Sequence, residues 1–135
     1  MTEYILEDDT MTMYDTNIII DYLRGKEEAA EIIRKSADEK GISVSAISCY
    51  ELLNGAKVSE EETLEHLFGR ITIHPLNLKT ARKASDLHKK LKKAGSELSV
   101  ADMFIVATAE ANDEIFVTQD SDFKGSYSKA IVFEK

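Results

Sequence analysis

The sequence predicts an α/β fold of three layers, with a central parallel sheet flanked by helices. Three observations predict it. Short apolar runs of about three residues recur along the chain, separated by stretches whose apolar residues fall at helical spacing. Strands alternating with helices imply parallel pairing and a sheet covered on both faces. The length of 135 residues, 43% of them hydrophobic and 31% charged, suits one domain with one core and no second module.

Taken in order, Thr12 to Tyr14 reads as the first strand, ending in Asp15-Thr16-Asn17. A helix follows through Ile18, Ile19, Ile20, Tyr22 and Leu23 and closes near Gly25. A second amphipathic helix runs from Glu27 to Glu39, with Ala29, Ala30, Ile32, Ile33 and Ala37 as its apolar side. Ile42 to Val44 is the next strand, Ser45 to Val58 a helix, and Glu60 to Phe68 another. Ile71 to Ile73 is a strand. Asn77 opens a long helix with Leu78, Ala81, Ala84, Leu87, His88 and Leu91 at helical spacing, and Gly95 ends it. Ser99 caps a helix over Val100 to Ala111, and Ile115 to Val117 and Ile131 to Phe133 complete the strands. Pro75 is the one proline, there is no internal repeat, and the scattered glycines suit short turns.

Charge and cysteine content narrow the function classes. A net charge of −8 argues against a protein that holds nucleic acid mainly through a basic surface. That argument weakens where the acids are gathered in a metal pocket, because a bound cation inverts the local field. One cysteine, Cys49, excludes an intramolecular disulfide and suits a reducing compartment; its apolar neighbours suggest a packed, inert thiol. The longest uncharged runs, such as Gly41 to Tyr50, fall far short of the roughly 20 apolar residues of a membrane span. The first ten residues are acidic and lack the basic segment of a signal peptide, so a cytoplasmic location is expected.

In an open parallel sheet, ligands bind beyond the carboxyl ends of the strands. Acidic residues collect there. Asp15 follows the first strand, and Glu51 lies early in the helix after the second. Asp102 sits in the first turn of the helix opened by Ser99, and Asp120 and Asp122 follow the strand at Ile115 to Val117. Each has a structural alternative. Asp15 can be a helix N-cap, Glu51 and Asp102 stand three residues after Ser48 and Ser99 as in capping boxes, and Asp120 and Asp122 suit a turn.

Two features favour a shared site. The helix bearing Asp102 is apolar on nearly every side, so a carboxylate there is costly unless paired or bound to metal. In addition, no lysine or arginine stands immediately beside Asp15, Glu51, Asp102 or Asp120. Crowded carboxylates raise one another's pKa, and Mg²⁺ or Mn²⁺, which favour oxygen ligands, would supply the missing positive charge. Such a centre suits phosphodiester hydrolysis, in which metal lowers the pKa of a water and offsets charge on the phosphate.

Other motifs offer less. His66, His74 and His88 lack the spacing of a zinc site, and no glycine-rich phosphate loop is present. The run Lys89-Lys90-Leu91-Lys92-Lys93 is either a solvated helix end favoured by the dipole or a grip on RNA backbone.

Four blocks, in order, resemble the PIN domains of the VapC toxin group. These are Met13-Tyr-Asp15-Thr16-Asn17-Ile-Ile-Ile-Asp21, Ser45-Ala-Ile-Ser-Cys-Tyr-Glu51, Ser99-Val-Ala-Asp102-Met-Phe-Ile-Val-Ala-Thr-Ala109 and Val117-Thr118-Gln-Asp120-Ser-Asp122-Phe123. The resemblance implies a PIN-like, Rossmann-like fold over residues 11–135, preceded by an extension of residues 1–10. It also implies a homodimer with Mg²⁺- or Mn²⁺-dependent endoribonuclease activity on single-stranded RNA, restrained by a cognate antitoxin. Carried over, Asp15, Glu51, Asp102 and Asp120 are the catalytic metal ligands, and Thr118 and Asn17 support them. The Gln-Asp-Ser-Asp stretch leaves Asp122 as an alternative fourth ligand. Two rivals stand beside this reading. A phosphatase of the haloacid-dehalogenase kind would need a second aspartate where Asn17 stands. A silent PIN-fold module binding a basic peptide would suit the net charge.

Overall fold

A computed structural model describes residues 11–37 and 40–134 of the chain. The expected extension, residues 1–10, lies outside the described residues. Five strands and six α-helices alternate among the described residues: β1 (Thr12–Tyr14), α1 (Thr16–Leu23), α2 (Glu27–Ser36), β2 (Ile42–Ser45), α3 (Ala46–Gly55), α4 (Glu61–Phe68), β3 (Thr72–His74), α5 (Leu78–Lys93), α6 (Val100–Ala111), β4 (Ile115–Thr118) and β5 (Ala130–Val132). Short 3₁₀ turns occupy Val58–Glu60 and Ser121–Phe123.

The sheet is parallel throughout, in the order β3-β2-β1-β4-β5, so the α/β three-layer expectation holds. The chain builds outward from β1 to β3, then returns to lay β4 on the other side of β1. The carboxyl ends of β1 and β4 therefore flank the switch point where an open α/β sheet forms its crevice.

Alternation along the strands divides the core. Met13 and Phe116 face Leu87, Leu91, Met103, Ile105 and Val106 of α5 and α6. Tyr14, Val44 and Val117 face Ile18, Ile19, Ile32, Leu52 and Leu64 of α1 to α4. Both faces of β1 are fully buried, which is why its three residues hold their place without an alternating polar side. On the α5–α6 face, buried Glu114 takes a hydrogen bond from the Ser43 hydroxyl and lies 2.9 Å from His74 Nε2, joining β2, β3 and the start of β4. Among the described residues, no helix is long and apolar enough to cross a membrane.

Several element ends differ from the sequence expectation, each for a tertiary reason. The helix expected to reach Val58 stops at Gly55, and Ala56 is extended (ψ 136°). The next turn is held by Glu60, which accepts from the Lys57 backbone N–H (2.8 Å) and from Nε of Arg24, the C-cap of α1 (2.8 Å). The helix expected to reach Glu39 ends at Ser36, which bonds Tyr14 Oη (2.7 Å) and whose carbonyl accepts from Thr12 Oγ1 (3.1 Å). Of the expected remainder, Ala37 is extended, and residues 38 and 39 lie outside the described residues. The strand expected at Ile71 to Ile73 is displaced by one residue to pair Ser45 with His74, and the last strand likewise falls on Ala130–Val132.

Candidate active site

The site begins with a strand that runs straight into a helix. Asp15 directly follows β1 and is the N-cap of α1, its φ of −65° and ψ of 153° turning the chain from strand to helix. Its Oδ1 accepts from the Thr16 backbone N–H at 2.8 Å. Its Oδ2 accepts from Thr118 Oγ1 at 2.7 Å, a bond from the end of β4. The capping alternative is thus realised, but it uses one carboxylate oxygen and leaves the other turned to the switch point.

Thr118 has a second task. Its Oγ1 accepts from the backbone N–H of Asp120 (3.0 Å), folding the chain back as it leaves β4. Asp120 caps the following 3₁₀ turn by accepting from the Asp122 N–H (2.8 Å). Phe123 pins that turn edge-on against Phe116 of β4, with ring centroids 5.0 Å apart.

Glu51 enters from α3. The N-cap of α3 is Ser45, which accepts from the Ser48 N–H at 3.0 Å, so Ser48 and Glu51 do not form the capping box their spacing allowed. Glu51 Oε1 instead accepts from Thr16 Oγ1 at 2.6 Å, and Ser48 Oγ lies 2.8 Å from the same hydroxyl. Thr16 has one proton to give, and the carboxylate is the stronger acceptor. Asp102 comes from α6, whose N-cap Ser99 accepts from the Asp102 N–H at 3.1 Å. Met103 and residues 105–109 are buried, but Asp102 itself is half-buried, because the first turn of α6 emerges at the rim of the sheet. The expectation of a carboxylate enclosed by apolar residues is corrected to one at the mouth.

The acids act on one another. Burial is the largest influence on Asp15, whose pKa is pushed from 3.8 to about 6; Thr118 and the Thr16 N–H oppose that rise, and the charges of Asp102 and Asp120 add to it. Asp102 is likewise raised, first by burial and further by Asp120, Glu51 and Asp122, with the Ser99 hydrogen bond opposing. Among the described residues, none of the five acids enters an ion pair. Asn17 is exposed on α1, while buried Thr16 supplies the hydroxyl that reaches Glu51. The sequence offers Ser48 only as a possible helix cap and gives Thr16 no role of its own. A threonine directly after an N-capping aspartate gives a weak signal, since many helices carry one there for no chemical purpose.

As placed, no three Asp, Glu, His or Cys side chains among the described residues close on one point. The donor set is nonetheless of one kind: carboxylates with supporting hydroxyls, and no thiolate or imidazole. That chemistry fits a hard divalent cation that keeps part of its water shell, and does not fit zinc. Cys49 is half-buried on α3, and burial pushes its thiol up, which suits a packing role.

A single α/β domain with an acidic crevice at its switch point is therefore the class that fold and site define. The chain belongs to the PIN-domain family, whose model matches residues 12–126. Among characterised relatives, it is similar to ribonuclease VapC10 of Mycobacterium tuberculosis, 24% identical over 103 residues that cover 76% of this chain and 77% of that protein. Its fold resembles a toxin–antitoxin complex from Klebsiella pneumoniae (TM-score 0.77, 25% identity, 92% of this chain and 99% of that one). It also resembles VapBC2 from Rickettsia felis bound to a promoter DNA fragment (TM-score 0.72, 23% identity, 91% and 97%).

Proposed function

We propose that this chain is a divalent-metal-dependent endoribonuclease that hydrolyses phosphodiester bonds of single-stranded RNA, and that it is the toxin of a toxin–antitoxin pair. The observation that carries the proposal is that Asp15 and Asp102, buried and half-buried at the strand ends, feel the charges of Asp120, Glu51 and Asp122 from other segments, while no ion pair neutralises any of the five among the described residues. In this reading Asp15, Glu51, Asp102 and Asp120 hold Mg²⁺ or Mn²⁺, with Asp122 at the edge. Bound metal supplies a water of lowered pKa and offsets charge on the phosphate. Thr118 fixes the Asp15 carboxylate, and Thr16 fixes Glu51, so that both keep their aim when the acids are brought closer. Asn17, exposed beside them, is available to substrate.

The partner half of the proposal rests on the relatives' composition and on an apolar face of this chain. Tyr22, Tyr50, Leu53 and Val58 are exposed on α1, α3 and the turn after α3. The same elements, with α4, line a cavity of about 210 Å³ in which Ile20, Leu23, Leu52, Ala56 and Leu64 are joined by Arg24, Glu60 and Thr63. That surface suits the apolar side of an antitoxin helix. The homodimer and cytoplasmic location implied by the resemblance belong to the same proposal, and sedimentation tests the first.

The deciding experiment is cleavage of a mixed-sequence single-stranded RNA with Mn²⁺, with EDTA, and with the Asp102→Asn protein. Cleavage that needs metal and is lost in the variant is expected. The net charge of −8 favours a second reading, a silent module that binds a basic peptide. Absence of cleavage together with absence of stabilisation by Mn²⁺ would establish that reading instead.

A further inference from the structure

We propose that single-stranded RNA reaches the acid cluster along the groove between the end of α5 and the start of α6, with its phosphates held by Lys92 in the groove wall and by exposed Lys89, one turn earlier on α5 and outside the lining; the assignment rests on the ribonuclease reading. The groove has a volume of about 690 Å³, and its polar lining is His88, Lys92, Ser96, Glu97 and Ser99. That is the size of a ligand pocket, roughly 300–1,000 Å³. One end is Ser99, the cap of α6, so the groove terminates in the helix turn that carries Asp102.

Lys92 and Glu97 offset each other within the lining, and the positive charge comes from the exposed end of α5 beside it. Lys89, Lys92 and Lys93 are exposed, and among the described residues none of them holds a carboxylate, whereas Lys26, Lys83 and Lys124 each do. The dipole at the end of α5 accounts for about half of one charge. Lys90, Lys92 and Lys93 fall in that last turn, and Lys89 stands one turn before Lys92 and Lys93, so like charges face each other at i,i+3 and i,i+4. Such crowding is unfavourable in the free protein. A polyanion removes that cost.

The chemistry of the lining matches RNA. Lys92 contributes a point charge for phosphate, and the Ser96 and Ser99 hydroxyls can donate to its oxygens. His88, one turn before Lys92 on the groove side, offers a ring on which an unpaired base can stack. A strand approaching five carboxylates is repelled, and a cationic run on the approach to them offsets that repulsion until metal is bound. Lys90 serves as an internal control, since it lines a separate depression with Lys83, Glu110 and Tyr127.

The test is binding of a fluorescent 12-nucleotide single-stranded RNA to the full chain in EDTA, over a series of salt concentrations. For Lys89→Gln/Lys92→Gln, Kd is expected to weaken about tenfold. The slope of log K against log salt should fall by about 1.4, at about 0.7 per phosphate contact. Lys90→Gln should leave both within twofold. With Mn²⁺, KM of the double variant should rise about tenfold while kcat stays within twofold. Unchanged Kd and slope in the double variant, or an equal loss in Lys90→Gln, overturns the assignment. Displacement of RNA by poly-glutamate at equal charge concentration would reassign the groove to an acidic protein segment. RNA binding that depends on both lysines, without cleavage in any metal, would keep the groove and remove the ribonuclease reading. Metal-dependent cleavage with KM unchanged in the double variant would do the reverse.

Discussion

Replacing Asp15 by asparagine should make the metal-free protein more stable at neutral pH while destroying its chemistry. Asp15 is 7% exposed and its carboxyl titrates at about 6 in the fold against 3.8 in the unfolded chain. A folded-state pKa above the unfolded one means that Asp15 favours the fold below pH 3.8, and that this contribution is lost as pH rises through about 6. At about 1.36 kcal/mol per tenfold, the ionised carboxylate costs the fold about 3 kcal/mol at pH 7. Asparagine carries no charge, but it can satisfy only one of the two donors now on Asp15, Thr16 N–H and Thr118 Oγ1, as acceptor. A lost hydrogen bond returns about 1 kcal/mol of that gain. The net expectation is a stabilisation of about 2 kcal/mol, measured by urea unfolding in EDTA. The gap between variant and wild type should close by about 2 kcal/mol between pH 7 and 4.5. Comparing the two proteins cancels the exposed carboxylates that work in the opposite sense, such as Glu60, whose pKa its Arg24 partner lowers to about 2. Saturating Mn²⁺ should also close the gap from the wild-type side, by about 2.7 kcal/mol at one hundred times Kd. A variant no more stable than wild type at pH 7, with a gap indifferent to pH, would refute the claim that a buried, unpaired charge sits at the end of β1.

Three further outcomes are expected. Asp102→Asn should reduce metal-dependent RNA cleavage about 100-fold or more while its unfolding midpoint stays at or above that of wild type; cleavage at the wild-type rate would show that Asp102 acts only within its helix turn. Thr118→Val keeps the shape but removes the donor to Asp15 and the acceptor for Asp120 N–H, so about 1–3 kcal/mol of stability should be lost. The Asp15 titration followed by NMR should then move to higher pH, and an unmoved titration would count against the role of that hydroxyl. Glu114→Ala strips the shared acceptor from Ser43 and His74 and should cost about 2–4 kcal/mol in urea unfolding, with little effect on RNA cleavage per folded molecule.

The alternation of apolar strands with helices was legible because a parallel sheet leaves a simple trace: strands buried on both faces, such as Met13-Tyr14, and capped helices between them. Helix starts were the clearest part, since Asp15, Asn77 and Ser99 all act as the caps their residue types suggest. Helix ends were read less well. Nothing local stops a helix at Ser36; the bonds that hold that end come from Thr12 and Tyr14, far away in the chain, and Arg24 likewise reaches across to hold the turn that follows Gly55. The same limit applies to the site. Each acid could be placed at a strand end from its neighbours alone. That Thr16 holds Glu51 and Thr118 holds Asp15, across 35 and 103 positions, is a property of the folded sheet. The sequence also overstated the enclosure of Asp102, because periodicity reports which side of a helix is buried and not which end protrudes.

The order β3-β2-β1-β4-β5 has a consequence for how this protein is made. The first three strands form a contiguous half-sheet encoded by residues up to His74, and it can assemble while the rest of the chain is still being translated. Asp102 and Asp120 are not yet synthesised at that stage, and Asp15 has no Thr118 to hold it. A ribosome is itself a large body of RNA, so an incomplete copy tethered to it carries at most two of the acids and no formed crevice. The last quarter of the chain completes the site by laying β4 against the open side of β1. On the proposed ribonuclease reading, the topology therefore leaves the site incomplete until the last strands are made, and a copy that stalls early would carry no assembled centre beside the ribosome's RNA.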